Sequence, residues 1–428
     1  MHGPAIGTKA TPAAAPIAEW EAPAALTANA LSERFRQAKR RGTPAWLWPE
    51  ISAEAWRAAL HRIADISRHA LDGRRAPYAA TGDPVAFGLA CYTAGMGPLL
   101  AWWHEHGLFD ASEAIAGVIE LHWRHNRARH HRLTAVATDI VERLAAARIA
   151  AVILKGLYTA SYFPAPGTRP MADIDLLVDE TDVAAAAEVL TTAGLMPGMR
   201  GPRETHWRPA SDTRLHTLLF VHEDDPWSID LHRSLDQFVA AGAPLARFDE
   251  AAPLHRVSPL PGMPAAKGLD QPLLLLHLAA HAGGALHNLT LLRLVELHFV
   301  IRRDEAAGRL SWRELVEVGT AIGALGYAYP AFQLGEALVP GTVPPWVIER
   351  CAAAAPQRVV CFVRTLTPAT AQRVDRSSIA EHFMWTTGWA GTMRQLAADL
   401  MPVARSWRAS WSIYERRAWQ LLRGRISG

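Results

Sequence analysis

The sequence is poor in lysine, cysteine and long apolar runs. Lysine occurs only at positions 9, 39, 155 and 267, so nearly all basic charge is arginine, and a lysine inside a motif is unlikely background. The three cysteines, Cys91, Cys351 and Cys361, are too few and too scattered for a disulfide framework and lack zinc-thiolate spacing. That points to a reducing compartment, and the expected location is cytoplasmic. No stretch approaches the ~18 uninterrupted apolar residues that a spanning helix needs. No charged start followed by an apolar run and a cleavage site opens the chain, and Ala10–Ala28, rich in Ala and Pro, reads as a disordered leader. A net charge of +3 over 428 residues, with no dense basic stretch, argues against a nucleic-acid partner. No internal repeat of fixed period is present.

Apolar residues make up 50% and charged residues 20% of the chain, as in a folded protein long enough for more than one core. Residues 31–144 show helical spacing, with breaks near Pro44–Pro49, Gly82–Pro84 and Gly95–Pro98, and Leu133–Ala147 is an amphipathic helix. The pattern then changes. A strand over Ala151–Leu154 ends in Lys155-Gly156, a helix follows over Leu157–Phe163, and a second strand covers Ile174–Val178. Asp179–Ala193 is a helix stopped by Gly194, and strands are expected at His206–Arg208, Arg214–Val221 and Trp227–His232. Helices return at Leu269–Ala282, Leu289–Arg302 and Trp312–Val318, the last closed by Gly319. The expected fold class is α+β, a small mixed β-sheet core flanked by large N- and C-terminal helical regions. The expected division is a leader (1–28), an N-terminal helical region (29–132), the core (133–265), a helical region packed on it (266–340) and a C-terminal helical region (341–428).

In Arg169-Pro-Met-Ala-Asp173-Ile-Asp175-Leu-Leu-Val178, period two puts Asp173 and Asp175 on one strand face. Adjacent carboxylates repel unless a cation lies between them, which is what a magnesium site for nucleotide phosphates requires. Asp230, in Ser228-Ile-Asp-Leu-His232, adds a third carboxylate if its strand lies beside the first. Asp-x-Asp alone is as often a solvated strand edge. The apolar strand, glycine turn and helix placed just before it favour the site: Gly156 admits a phosphate close to the backbone, and Lys155 offers a point charge.

Val152-Ile-Leu-Lys-Gly-Leu-Tyr158, Tyr162-Phe-Pro, Arg169–Val178 and Ile229-Asp-Leu-His232 together resemble the bacterial family of uncharacterised nucleotidyltransferases, within the DNA-polymerase-β-like superfamily. The resemblance covers roughly residues 150–235 and extends more weakly to about 320. It implies magnesium-dependent transfer of a nucleoside monophosphate, AMP first among them, from an NTP. The acceptor would be a hydroxyl of a small molecule or protein, and Mn2+ would be able to replace Mg2+. Asp173 and Asp175 take the place of the paired metal ligands, and Asp230 that of the acceptor-activating carboxylate. The wider superfamily has serine after the glycine of its phosphate turn. Here Leu157 follows Gly156, so Lys155 and Arg169 would replace the hydroxyl. The other reading is a non-catalytic nucleotide- or partner-binding module on the same fold.

Arg169, in the turn before the carboxylates, is either a phosphate ligand or a surface arginine. His232 either orients a carboxylate or acceptor or is structural, and His206 and Arg208 are weaker candidates. His277 and His281, four apart, read as packing residues. Trp102–His106 and His122-Trp-Arg-His125 match no ligand spacing with a third partner and read as helix surface. Trp407, Trp411 and Tyr414, with interleaved arginines, read as one face of a docked terminal helix.

Overall fold

The structure is a computed structural model that describes residues 51–210, 222–286, 289–371 and 378–400. The expected leader, the break at Pro44–Pro49, the strand Arg214–Val221 and the terminal Trp/Arg stretch lie outside these residues.

Among the described residues four helices precede the sheet: α1 (Ala53–Leu71), α2 (Pro84–Ala94), α3 (Gly97–Glu105) and α4 (Glu113–Ala146). Ser52 Oγ accepts the Ala55 amide to start α1, and Asp83 accepts that of Val85 to start α2, with Pro84 preset for the first turn. Gly95, at φ 71°, ends α2 in the left-handed region. Helix α4 has 34 residues, so it is about 50 Å long. Its buried stripe runs through Ile115, Ile119, His122, Asn126, Arg129, Leu133, Ile140 and Leu144. The apolar phase is therefore occupied by polar residues in mid-helix. His122 and His125, expected on a helix surface, are 2% and 7% exposed, and Trp103 is buried as well. That correction has a plain cause: His122 packs against Gly97 of α3 and His125 against His222, contacts that local spacing does not report.

Among the described residues the sheet has seven strands: β1 (Val152–Ile153), β2 (Asp173–Leu177), β3 (Leu195–Arg200), β4 (Glu204–Pro209), β5 (Ser228–His232), β6 (Val257–Leu260) and β7 (Met263–Leu269). Their order is β3-β4-β5-β2-β1-β7-β6. β2 runs parallel to β5 and antiparallel to β1, while β1 runs parallel to β7. Helix α5 (Leu157–Ala160) lies between β1 and β2, and α6 (Val183–Thr192) between β2 and β3. The α+β architecture is as expected. β3, β6 and β7 were not foreseen, because their proline, glycine and exposed positions break strict alternation. β7 claims Leu269, so the next helix begins at Leu273 instead.

Helices α7 (Leu273–Gly284), α8 (Leu291–Ala306), α9 (Trp312–Ala321) and α10 (Leu325–Leu338) follow, then shorter helices to Leu400. Gly319 does not close α9. It is buried inside the helix, where an added Cβ would meet the Leu325 side chain at 2.5 Å and that of Leu276 at 3.0 Å. Gly319 is there for close helix packing, and Gly323 at φ 72° makes the turn. Among the described residues a main hydrophobic core takes in side chains from Ala59 to Trp385, with a small second cluster of Leu89, Val118 and Leu121. Among the described residues no single helix is long and apolar enough to cross a membrane.

Candidate active site

Parallel pairing of β2 with β5 sets Asp175 directly opposite Asp230, and antiparallel pairing of β4 with β5 sets His206 opposite Asp230 and Glu204 opposite His232. Paired residues share a face, as do residues two apart. One face of these three strands thus carries Asp173, Asp175, Asp230, His232, His206 and Glu204. The other carries Ile174, Leu176, Ile229 and Leu231, all at most 3% exposed. The alternation that buries the isoleucines and leucines is what gathers the acids.

Oxygens of Asp173, Asp175 and Asp230 lie within 4.8 Å of one another. Asp175 is 2% exposed. Lys155 Nζ donates to Asp175 Oδ2 at 2.5 Å, and His232 Nε2 lies 3.2 Å from Oδ1. Burial alone would raise the Asp175 carboxyl, but Lys155 and His232 overcome it and hold the group well below the usual carboxylate range. Burial likewise works against the Lys155 charge, yet Asp175 and Asp173 keep its pKa above the ordinary value. Asp230 moves the other way. Burial, helped by the charges of Asp175 and Asp173, raises its pKa, and His206, with Nδ1 at 2.8 Å from Oδ1, only partly offsets this. His232 also meets Glu204, Nδ1 to Oε2 at 3.2 Å.

Gly156 follows β1 at φ 62° and ψ −99°, a conformation reserved for glycine, and α5 behind it is a single buried turn, shorter than the expected Leu157–Phe163. The turn brings the backbone past the Asp173 carbonyl and Arg169 Nη1, which a Cβ on Gly156 would approach to 3.7 and 3.8 Å. Arg169 is 8% exposed and forms a two-point ion pair with buried Glu296 of α8, Nε to Oε1 at 2.8 Å and Nη2 to Oε2 at 3.1 Å. Thr159 Oγ1 also donates to Glu296.

Beside the carboxylates lies a cavity of about 180 Å³, lined by Lys155, Arg169, Asp173, His281, Arg293 and Glu296 among others. Arg293 and Glu296 were not foreseen. Their signal was present, two opposite charges inside the apolar run that becomes α8. Burial pulls the pKa of Arg293 down, against the pull of Glu296, Asp173 and Asp175. His277 is buried, as a packing residue should be, but burial and the Lys155 charge push it down to about 3, so it is neutral next to the acidic cluster.

Asn126 and Arg129 were also missed. Asn126 Nδ2 donates to the Arg169 carbonyl at 3.3 Å and also to that of Gly167. Arg129 donates to the Met171 carbonyl at 2.8 Å, to Asp225 and Pro226 at 2.6 Å each, and to Ala172 at 3.4 Å. One guanidinium therefore fixes both the segment entering β2 and the segment entering β5, the strands that carry the acids.

A family profile described as an uncharacterised nucleotidyltransferase matches residues 97–340, more than half of the chain. The chain belongs to that family. It is thus a member of the polymerase-β-like nucleotidyltransferases, with a candidate acidic cluster able to coordinate a divalent metal. Searches of curated proteins and of solved structures gave no match. The family match extends well beyond residues 150–235, taking in α4 and helices α7 to α10. Those are the elements that supply Asn126, Arg129, Arg293 and Glu296.

Proposed function

We propose that the chain is a magnesium-dependent nucleotidyltransferase that moves an NMP, with ATP the first donor to test, onto a hydroxyl of a small molecule or protein. The observation that carries this is the convergence of Asp173, Asp175 and Asp230 on paired strands, with their oxygens within 4.8 Å. The residues fit a hard divalent cation: three carboxylates face one another, and burial first, then the charges of Asp175 and Asp173, raises the pKa of Asp230. Lys155 and His232 already engage Asp175, but a carboxylate has about four lone-pair positions, so both oxygens can still serve a metal.

Asp173 and Asp175 would hold the ion together with Asp230. When bound, the metal supplies charge neutralisation for the triphosphate and polarises the reacting phosphoryl group. Arg293, Lys155 and Arg169 give the adjoining cavity its positive side, where β- and γ-phosphates fit. Glu296 offsets part of the charge of Arg169, so Arg293 is the stronger phosphate ligand and Arg169 chiefly shapes the turn over Gly156. Asp230 accepts the proton of the attacking hydroxyl, with His206 holding the carboxylate. His232, fixed by Glu204, orients Asp175. A bond forms between the acceptor oxygen and the α-phosphorus, the bond from that phosphorus to the bridging oxygen breaks, and pyrophosphate leaves.

A second reading is a nucleotide-binding module without transfer, favoured by Lys155 sitting on Asp175 as an internal cation. Incubation with α-labelled ATP, GTP, CTP or UTP, Mg2+ and fractionated lysate separates the two. Labelled acceptor and pyrophosphate should appear with the unaltered chain and be lost in Asp173→Asn. Nucleotide binding with neither product supports the binding module.

A further inference from the structure

His122-Trp-Arg-His125 lacked a third partner in the sequence, but the fold supplies two. The segment just before β5 brings His222 and Glu223 against α4, and one ligand atom each from His125, His222 and Glu223 lies within 4.8 Å of the others. The rings of His125 and His222 have centroids 4.5 Å apart, and Glu223 Oε1 is 3.8 Å from His125 Nδ1. We propose that His125, His222 and Glu223 form a second metal site, separate from the carboxylate cluster and suited to a zinc-class transition ion.

The donor set decides the class of ion. Two imidazoles and one carboxylate suit zinc or cobalt, whereas magnesium takes oxygen and keeps its waters. Ligand atoms around a tetrahedral zinc lie about 3.3–3.6 Å apart, given bonds of about 2.0–2.2 Å, so the cluster closes by roughly an ångström of side-chain movement. The metal displaces loop contacts that include Glu223 N to His125 Nδ1 at 3.4 Å and Asp224 N to His222 Nδ1 at 3.1 Å. The first is long for a hydrogen bond, so little is given up there.

The framework around the site is already tied down. Arg132 Nη1 donates to Asp224 Oδ1 at 3.2 Å, and Asp225 Oδ2 accepts the His222 amide at 3.0 Å. Arg129 holds the carbonyls of Asp225 and Pro226, five and four residues ahead of Asp230. A metal here staples the segment entering β5 to α4, and so steadies the strand that carries Asp230.

The test uses the full chain with Asp173→Asn and Asp230→Asn, so that the carboxylate cluster does not report. After chelator treatment, Co2+ is titrated in and followed by its visible absorption, with Zn2+ and Mg2+ as competitors. One equivalent of Co2+ should bind, be displaced by Zn2+ and not by millimolar Mg2+, and raise the melting temperature. Adding His125→Ala or His222→Ala should abolish binding, and Glu223→Gln should weaken it by about tenfold or more. No stoichiometric cobalt uptake, or uptake unaffected by the histidine changes, overturns the proposal. If the histidine variants do not fold by circular dichroism, half-exposed Glu223→Gln decides, and unchanged affinity there overturns it too.

Discussion

Asp175 and Asp230 face each other across paired strands, yet their surroundings drive them in opposite directions. Asp175 is depressed because Lys155 and His232 outweigh its burial, so its ion pair stabilises the fold above the unfolded carboxylate value and is lost only as pH falls through the lower folded one. Asp230 is raised, so its ionised form costs stability, and that cost disappears as pH falls below its ordinary range. Asp175→Asn should therefore destabilise the metal-free chain by about 3–5 kcal/mol, because the Lys155 charge is left buried and unpaired. Asp230→Asn should leave metal-free stability equal or higher while lowering turnover by about 10²–10⁴-fold. Melting curves at several pH values check the sign. The gap between Asp230→Asn and the unaltered chain should be widest at neutral pH and close toward pH ~4. A destabilised Asp230→Asn at neutral pH would contradict the assignment of Asp230 as an electrostatically strained base.

At the scale of elements, α4 is the part whose role spacing alone misrepresented. Its stripe of three- and four-residue steps passes through His122, Asn126 and Arg129, where an ordinary core helix would carry leucines. A polar residue in an apolar phase is readable in a sequence, but its partners are carbonyls of 167, 169, 171, 172, 225 and 226, up to 97 residues away. Arg129→Lys keeps the charge and loses the planar fork. It should cost about 2–4 kcal/mol in chemical denaturation, since several charge-assisted hydrogen bonds go unmade. It should also lower turnover more than nucleotide affinity. Stability within about 0.5 kcal/mol of the unaltered chain would show that the clamp is dispensable.

For the whole molecule, the main core from Ala59 to Trp385 makes the sheet and the helices before and after it mutually dependent. β1 lies between β2 and β7, Asn126 and Arg129 come from before the sheet, and Glu296 comes from after it. A fragment of residues 133–265 should remain unfolded, whereas the full chain folds. It lacks Arg129 and Glu296, and it cuts β7 short. A dispersed amide spectrum from the fragment would refute this interdependence.

The sequence by itself determined the α+β class, the strand carrying Asp173 and Asp175, the strand carrying Asp230 and the Lys155-Gly156 turn. Each rests on local geometry, in which period-two alternation assigns faces and glycine marks the turn. Only the tertiary structure decided that Asp175 and Asp230 are paired in register, that Lys155 reaches Asp175 and Arg169 reaches Glu296, and that His125 meets His222. Strand register and what packs against a helix face depend on residues distant in the chain, and local periodicity carries no information about them.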